Sequence, residues 1–256
     1  MPAGWRFFVA VQVMAALLLA SVGASPSLAW PAFRGAPASG PRHNKYFAGR
    51  SYPEAGPAEV TTEFVVPDVR CTSTNTGVGA GAFVYTASGS NSRGTVISGA
   101  SVQLFCLGGE PAPMPVVELE GSQTYGQERP HVGDLMRATI IDSARVLGVT
   151  VQDLTDGHTF TLTRSTASTP ATAAEIGEVP LKGVPSLTPG PLYPITDFGS
   201  IRFSAGRING KVLGAAGGRA FSMVSSAKVL QILTRSLRGS GPRKSRSSFS
   251  TVWKHS

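Results

Sequence analysis

Val146-Leu-Gly-Val-Thr-Val-Gln-Asp-Leu154, then Thr155-Asp156-Gly157, then His158-Thr-Phe-Thr-Leu-Thr-Arg164 reads as strand, turn, strand. The Asp-Gly pair decides it, because glycine supplies the positive φ that a tight hairpin turn needs. A tight hairpin makes its two strands antiparallel. The fold then depends on how far the same pattern extends along the chain.

It extends in both directions. Upstream, Val60-Thr-Thr-Glu-Phe-Val-Val66 alternates, is rich in β-branched residues and is stopped by Pro67. Ala82–Thr86, Thr95–Ile97, Ser101–Phe105, Val116–Glu120 and Leu135–Ile141 follow, with Gly-, Ser- and Pro-rich turns between several of them. Downstream, Glu175–Val179, Ile201–Ala205 and Lys211–Leu213 continue the series. Short strands at regular spacing, with few helical periods, predict an all-β fold: a two-sheet antiparallel β-sandwich. One stretch stays open. In Ala227–Leu237 the spacing of Val229, Leu230, Leu233 and Leu237 is helical, while Ile232 suits a strand. The expected organisation is a sandwich over residues 58–214. An extended Pro/Gly/Ala/Ser-rich lead-in (30–57) precedes it, and an irregular or partly helical basic extension (215–256) follows.

The N-terminus predicts the compartment. Phe7–Val22 is almost wholly apolar behind Arg6, and small residues follow at 22–24 and 27–29. Residues 1–29 therefore read as a secretory signal peptide with two cleavage points. A transmembrane anchor is the alternative, but that needs about 20 apolar residues. After signal cleavage no stretch is long and apolar enough to span a bilayer. In an exported protein the two cysteines, Cys71 and Cys106, read as one disulfide. The alternative is a pair of buried thiols. A bridge closing a loop of this length stabilises by about 3–4 kcal/mol on the chain-entropy model.

Charge is unevenly spread. Residues 25–197 carry 11 Lys+Arg against 15 Asp+Glu, whereas residues 198–256 carry 11 Lys+Arg and no acid. The C-terminal quarter thus expects anionic cell-surface polymers as partners, through Arg235, Arg238, Arg243, Lys244 and Arg246. Phe249 and Trp253 are too sparse an aromatic set to predict specific nucleic-acid binding. His43, His131, His158 and His255 are far apart, with no metal-ligand pattern beside any of them. No nucleophile elbow, phosphate loop or dinucleotide fingerprint is present. The sequence accordingly leads us to expect neither a metal nor a cofactor.

Acid chemistry has one focus, Ala173-Ala-Glu-Ile-Gly-Glu-Val-Pro180, where Glu175 and Glu178 lie three residues apart in an apolar run. Residues three apart on a strand face opposite ways, so the two carboxylates cannot serve one site in a regular strand.

In this order, several segments together resemble the glutamic peptidases, or eqolisins. They are Thr61-Thr-Glu-Phe-Val-Val-Pro67 with Cys71, a glycine-rich segment, Gly99 leading to Cys106, His131-Val-Gly-Asp134, Asp153–Gly157, Glu175–Pro180 and Asp197-Phe-Gly199. The resemblance covers Tyr46 to Ala205. It implies a concanavalin-like sandwich whose curved face forms a substrate cleft, and we expect an extended peptide or glycan as the partner there. In that family a glutamine and a glutamate activate one water for amide hydrolysis at acid pH. Carried over, the glutamine position falls on Ile97, which can neither donate nor accept a hydrogen bond. Gln103, six residues on, is about 20 Å along the strand. The family's tryptophan and aspartate positions fall on Gly77 and Gly81. Glu118 matches a cleft-side acid. The glutamate position falls on Glu175 if one residue is deleted, or on Ala174 if Glu178 sets the register. These departures lead us to expect a secreted binding or structural module that has lost the peptidase dyad. A divergent acid endopeptidase using Glu175, with Glu118 as second polar group, is the alternative.

Overall fold

The computed structural model describes residues 42–44, 47–52, 59–71, 76–85, 96–119, 122–143, 146–165, 173–180, 194–213, 215–224, 230–236 and 248–254. The signal peptide read at 1–29 lies outside them. Within them sixteen strands run in order: β1 Arg42–Asn44, β2 Ala48–Tyr52, β3 Glu59–Val65, β4 Thr76–Tyr85, β5 Val96–Leu107, β6 Glu110–Leu119, β7 Ser122–Tyr125, β8 Leu135–Asp142, β9 Val146–Asp153, β10 Thr159–Ser165, β11 Ala173–Pro180, β12 Ser200–Ile208, β13 Lys211–Val212, β14 Arg219–Val224, β15 Leu230–Ser236 and β16 Phe249–Trp253. No α-helix occurs among the described residues.

The strands form one hydrogen-bonded path, β10-β9-β8-β3-β12-β16-β15-β14-β2-β11-β4-β5-β6-β7. Its pairings are antiparallel, and β1 joins β14 in parallel. The path closes into two layers, β3 and β8–β10 packing against β4–β6. Period-2 burial produces the core between them. Val60, Thr62 and Phe64 of β3, Met136, Ala138 and Ile140 of β8, and Val78, Ala80, Ala82 and Val84 of β4 point inward. The β9–β10 hairpin forms as its sequence predicts, with Gly157 at φ 83° and Asp153 N–H donating to His158 O at 2.8 Å. Cys71 and Cys106 are disulfide-bonded, with Cα atoms 5.5 Å apart.

Two expectations need correction. The lead-in is not merely extended, since residues 42–44 and 48–52 are the strands β1 and β2, and β2 pairs with both β11 and β14. The basic C-terminal extension likewise contributes β14, β15 and β16 to the middle of the sheet rather than standing outside it. The open stretch at 227–237 holds a strand at Leu230–Ser236. The reason is side-chain alternation over short spans. Phe249 and Thr251 are fully buried, and Trp253 packs on the core beside them. The Phe249 ring stacks on Phe203 at 5.0 Å, and Phe203 meets Phe64 at 5.7 Å. Burying one such ring is worth roughly 1.5–3 kcal/mol, and it adds to the ladder hydrogen bonds that β16 makes with β12 and β15.

Candidate functional site: the outer face of β11, β4, β5 and β6

The two glutamates of β11 point to opposite faces of the strand. Ala174, Ile176 and Glu178 face the core, and Glu175 and Val179 face the other side. The strand is held in this register by pairing on both edges, Glu175 opposite Ser51 and Phe83, Gly177 opposite Gly49 and Gly81, Glu178 opposite Ala48 and Ala80. Gly177 has φ 153°, and a methyl group there would stand 2.1 Å from the Ala48 carbonyl oxygen. Only glycine fits that approach.

Glu178 is fully buried. Its Oε1 accepts a hydrogen bond from the Thr251 hydroxyl across the core, and its Oε2 has no hydrogen-bond partner among the described residues. Burial, only partly offset by the threonine, pushes its carboxyl up from the ordinary 4.5 to about 8. It is therefore held protonated inside the sandwich and is not presented to solvent or substrate.

Glu175 and Glu118 do share the outer face. The cross-strand pairs Glu175–Phe83, Phe83–Gly99 and Gly99–Glu118 align them in one row across β11, β4, β5 and β6. Three strand spacings separate their backbones by roughly 14 Å. The space between is apolar. Phe83 is buried, and its ring lies over Gly99, where an added methyl would meet Phe83 Cδ1 at 2.9 Å. The pair read from sequence as two cooperating carboxylates is thus placed on one face but kept apart by a phenyl ring.

The position carried over to Ile97 lies at an irregularity. Ser98 pairs with Val84 and Val96 pairs with Tyr85, so Ile97 is the extra residue of a β-bulge. Gln103, two turns of the pleat beyond Gly99 on the same face, is buried, and its amide donates to Gln123 Oε1 at 3.4 Å. Gln123 in turn donates to Glu118 Oε2 at 3.3 Å and accepts from the Tyr125 hydroxyl at 3.1 Å. Sequence reading overlooked Gln123. Its signal was the edge strand Ser122–Tyr125, too short and polar to register as a strand.

A second constellation was also overlooked. The structure gathers His131, Asp134 and Asp156, whose ligand atoms lie within 4.8 Å of one another. They stand beside a cavity of about 870 Å³ between β6–β7 and β8–β10, which His131, Asp156, Glu128 and His158 help to line. Glu128 and His158 are in close contact. Pairwise spacing in the chain hid this set, because the hairpin carries Asp156 back to the turn before β8.

The match that decides kinship spans residues 46–240, the model of the Peptidase A4 family. The chain belongs to the Peptidase A4 family. Among solved structures it is similar to scytalido-glutamic peptidase bound to a transition state analog inhibitor. That match has a TM-score of 0.67 and 13% identity, and covers 82% of this chain and 99% of that one. It is also similar to SCP-B, an eqolisin family member in complex with the tripeptide Ala-Ile-His, with a TM-score of 0.64, 13% identity and the same coverage. At such identity these structures establish the eqolisin β-sandwich fold. Comparison with curated protein sequences finds no match. The A4 match runs through β14 and β15, which agrees with their place in the sheet and extends the resemblance beyond Ala205.

Proposed function

We propose that this A4-family chain is a secreted β-sandwich protein that has lost the glutamine–glutamate dyad and acts outside the cell as a binding or structural module. The observation that carries this reading is the row Glu175–Phe83–Gly99–Glu118, which puts a phenyl ring between the two acids. Amide hydrolysis needs a carboxylate and an oxyanion donor converging on one water, each within about 3 Å. The residue at the family's glutamine position is Ile97, whose side chain carries no amide. The disulfide supports an oxidising destination.

The anionic-polymer partner draws its support from β12 and β15. Arg202 and Arg235 are exposed and both pair with Ser250, which sets them on one face about 10 Å apart. Arg238, Arg243, Lys244 and Arg246 lie outside the described residues. An extended peptide or glycan on the outer face of β4–β6 remains part of the proposal, supported by the family's fold.

A second reading is a divergent acid endopeptidase. The Gln123–Glu118 hydrogen bond favours it, because it brings an amide and a carboxylate together on the outer face. The test is incubation of the mature protein with an unfolded protein at acid pH, beside Glu175→Gln and Glu118→Gln variants. No cleavage by any of the three removes the endopeptidase. Cleavage by the wild type that either variant abolishes removes the module.

A further inference from the structure

We propose that His131, Asp134 and Asp156 form a binding site for one divalent transition-metal cation of the zinc class, at the wall of the 870 Å³ cavity. His131 Nδ1 lies 3.6 Å from Asp134 Oδ2 and 3.9 Å from Asp156 Oδ2. Donors bound to one tetrahedral zinc at about 2.0–2.2 Å stand roughly 3.4 Å apart. Two edges of the triangle are thus within a few tenths of an ångström of that spacing, and the third, between Asp134 and Asp156, is no longer than 4.8 Å. His131 and Asp156 are exposed enough to make that adjustment, while Asp134 is nearly buried.

Apart from one bond accepted by Asp134, the frame holding the three groups is built by other atoms. Two hydrogen bonds tie the turn before β8 to the β9–β10 turn: Leu154 N–H to Leu135 O at 2.8 Å, and Leu135 N–H to Thr155 Oγ1 at 2.9 Å. Asp153 Oδ1 accepts from the N–H groups of Thr155 and Asp156, which fixes the loop that carries Asp156. Asp134 accepts the N–H of His131, which closes the turn between them. The imidazole and two carboxylates are therefore positioned from two separate turns that are locked together. Such preorganisation lowers the cost of ordering ligands around an ion.

The donor set selects the class of cation. One imidazole nitrogen with two carboxylate oxygens suits zinc or manganese, whereas calcium takes six to eight oxygens. Three protein donors leave a coordination position for water or for a group bound in the cavity. His131 and Asp156 line that cavity directly. Glu128 and His158, in contact with each other, stand on the same cavity wall and are available to a molecule held there.

The experiment is isothermal titration of the purified, tag-free full chain with ZnCl₂, beside Asp156→Asn and His131→Ala, with CaCl₂ as the comparison cation. The expected result is one saturable zinc site, weakened at least tenfold in each variant, and calcium binding at least tenfold weaker than zinc. At a hundredfold excess over Kd, zinc should raise the Tm of the wild type by about 5 °C or more. Metal-free melting temperatures equal to wild type show that the variants fold. No saturable binding by the wild type, or wild-type affinity in either variant, overturns the site. Calcium bound as tightly as zinc overturns the assigned class.

Discussion

Glu175 and Glu178 lie three residues apart on β11 and face opposite sides of the sheet, one outward and one fully buried against Thr251. The fully buried carboxylate of Glu178 is closed to any ligand. It acts on stability.

Glu178 makes the fold weaken as pH rises. Its folded carboxyl titrates near 8, against about 4.5 when exposed. Below the lower value both states are protonated and its contribution is fully favourable. Between the two, the unfolded chain releases a proton that the folded one keeps, so stability falls by at most about 1.4 kcal/mol per pH unit. Urea unfolding at pH 5 and pH 8 should show this loss in the wild type and a much flatter dependence in Glu178→Gln. Equal pH dependence in both proteins would remove Glu178 as the cause.

Gly177→Ala should be severely destabilising, by roughly 3 kcal/mol or more. The added methyl would meet the Ala48 carbonyl oxygen at 2.1 Å and the Gly49 Cα at 2.7 Å, both backbone atoms that cannot swing away. Gly148→Ala is the control, since its nearest neighbour would be Thr163 Cγ2 at 3.7 Å. Denaturant midpoints of the two variants should differ widely. Similar midpoints would mean that β2 and β11 can part without cost.

Removing the Cys71–Cys106 bridge, with both residues changed to serine or alanine, should cost about 3–4 kcal/mol. The bond ties the segment after β3 to the far end of β5, across 35 residues. Cys106 is fully buried, so the alanine form should be the more stable of the two. Thermal melts with and without reductant measure the effect, and an unchanged Tm on reduction would contradict it.

The Arg137–Glu63 pair should matter little. Arg137 Nη2 and Nε reach Glu63 Oε1 at 2.7 and 3.0 Å across β3 and β8, but both side chains keep contact with solvent. Glu63→Gln should cost less than about 1 kcal/mol, and less still in high salt. A loss above 2 kcal/mol in chemical denaturation would show that this pair is far better shielded than its exposure implies.

The antiparallel sandwich was legible because its strands carry strong local signals. Val60–Val66 alternates, and Asp156-Gly157 names its own turn. The opposite facing of Glu175 and Glu178 was legible too, since strand geometry alone demands it. Three things were not. The strands β14–β16 are short, and β16 follows a polar, basic stretch, so Phe249 reads as an isolated aromatic without the Phe203 ring it stacks on. Phe83 between Glu175 and Glu118 follows from register across three strands, which no single segment encodes. His131, Asp134 and Asp156 converge only because two turns are hydrogen-bonded to each other. In each case the missing information is long-range pairing, whereas the readable part is local pattern.

The position of β16 has a consequence for folding. Residues 249–253 lie between β12 and β15, so among the described residues the hydrogen-bonded path from β3 to β2 runs through them. The β4–β7 and β8–β10 hairpins form from consecutive segments of chain. The hydrogen-bonded path between the two groups is complete only once those five residues are in place. Until then the edges of β12 and β15 stand open, as templates for pairing with the wrong chain. Among the described strands β16 is the one that completes the path, so the edges it covers stay open to wrong pairing until it docks.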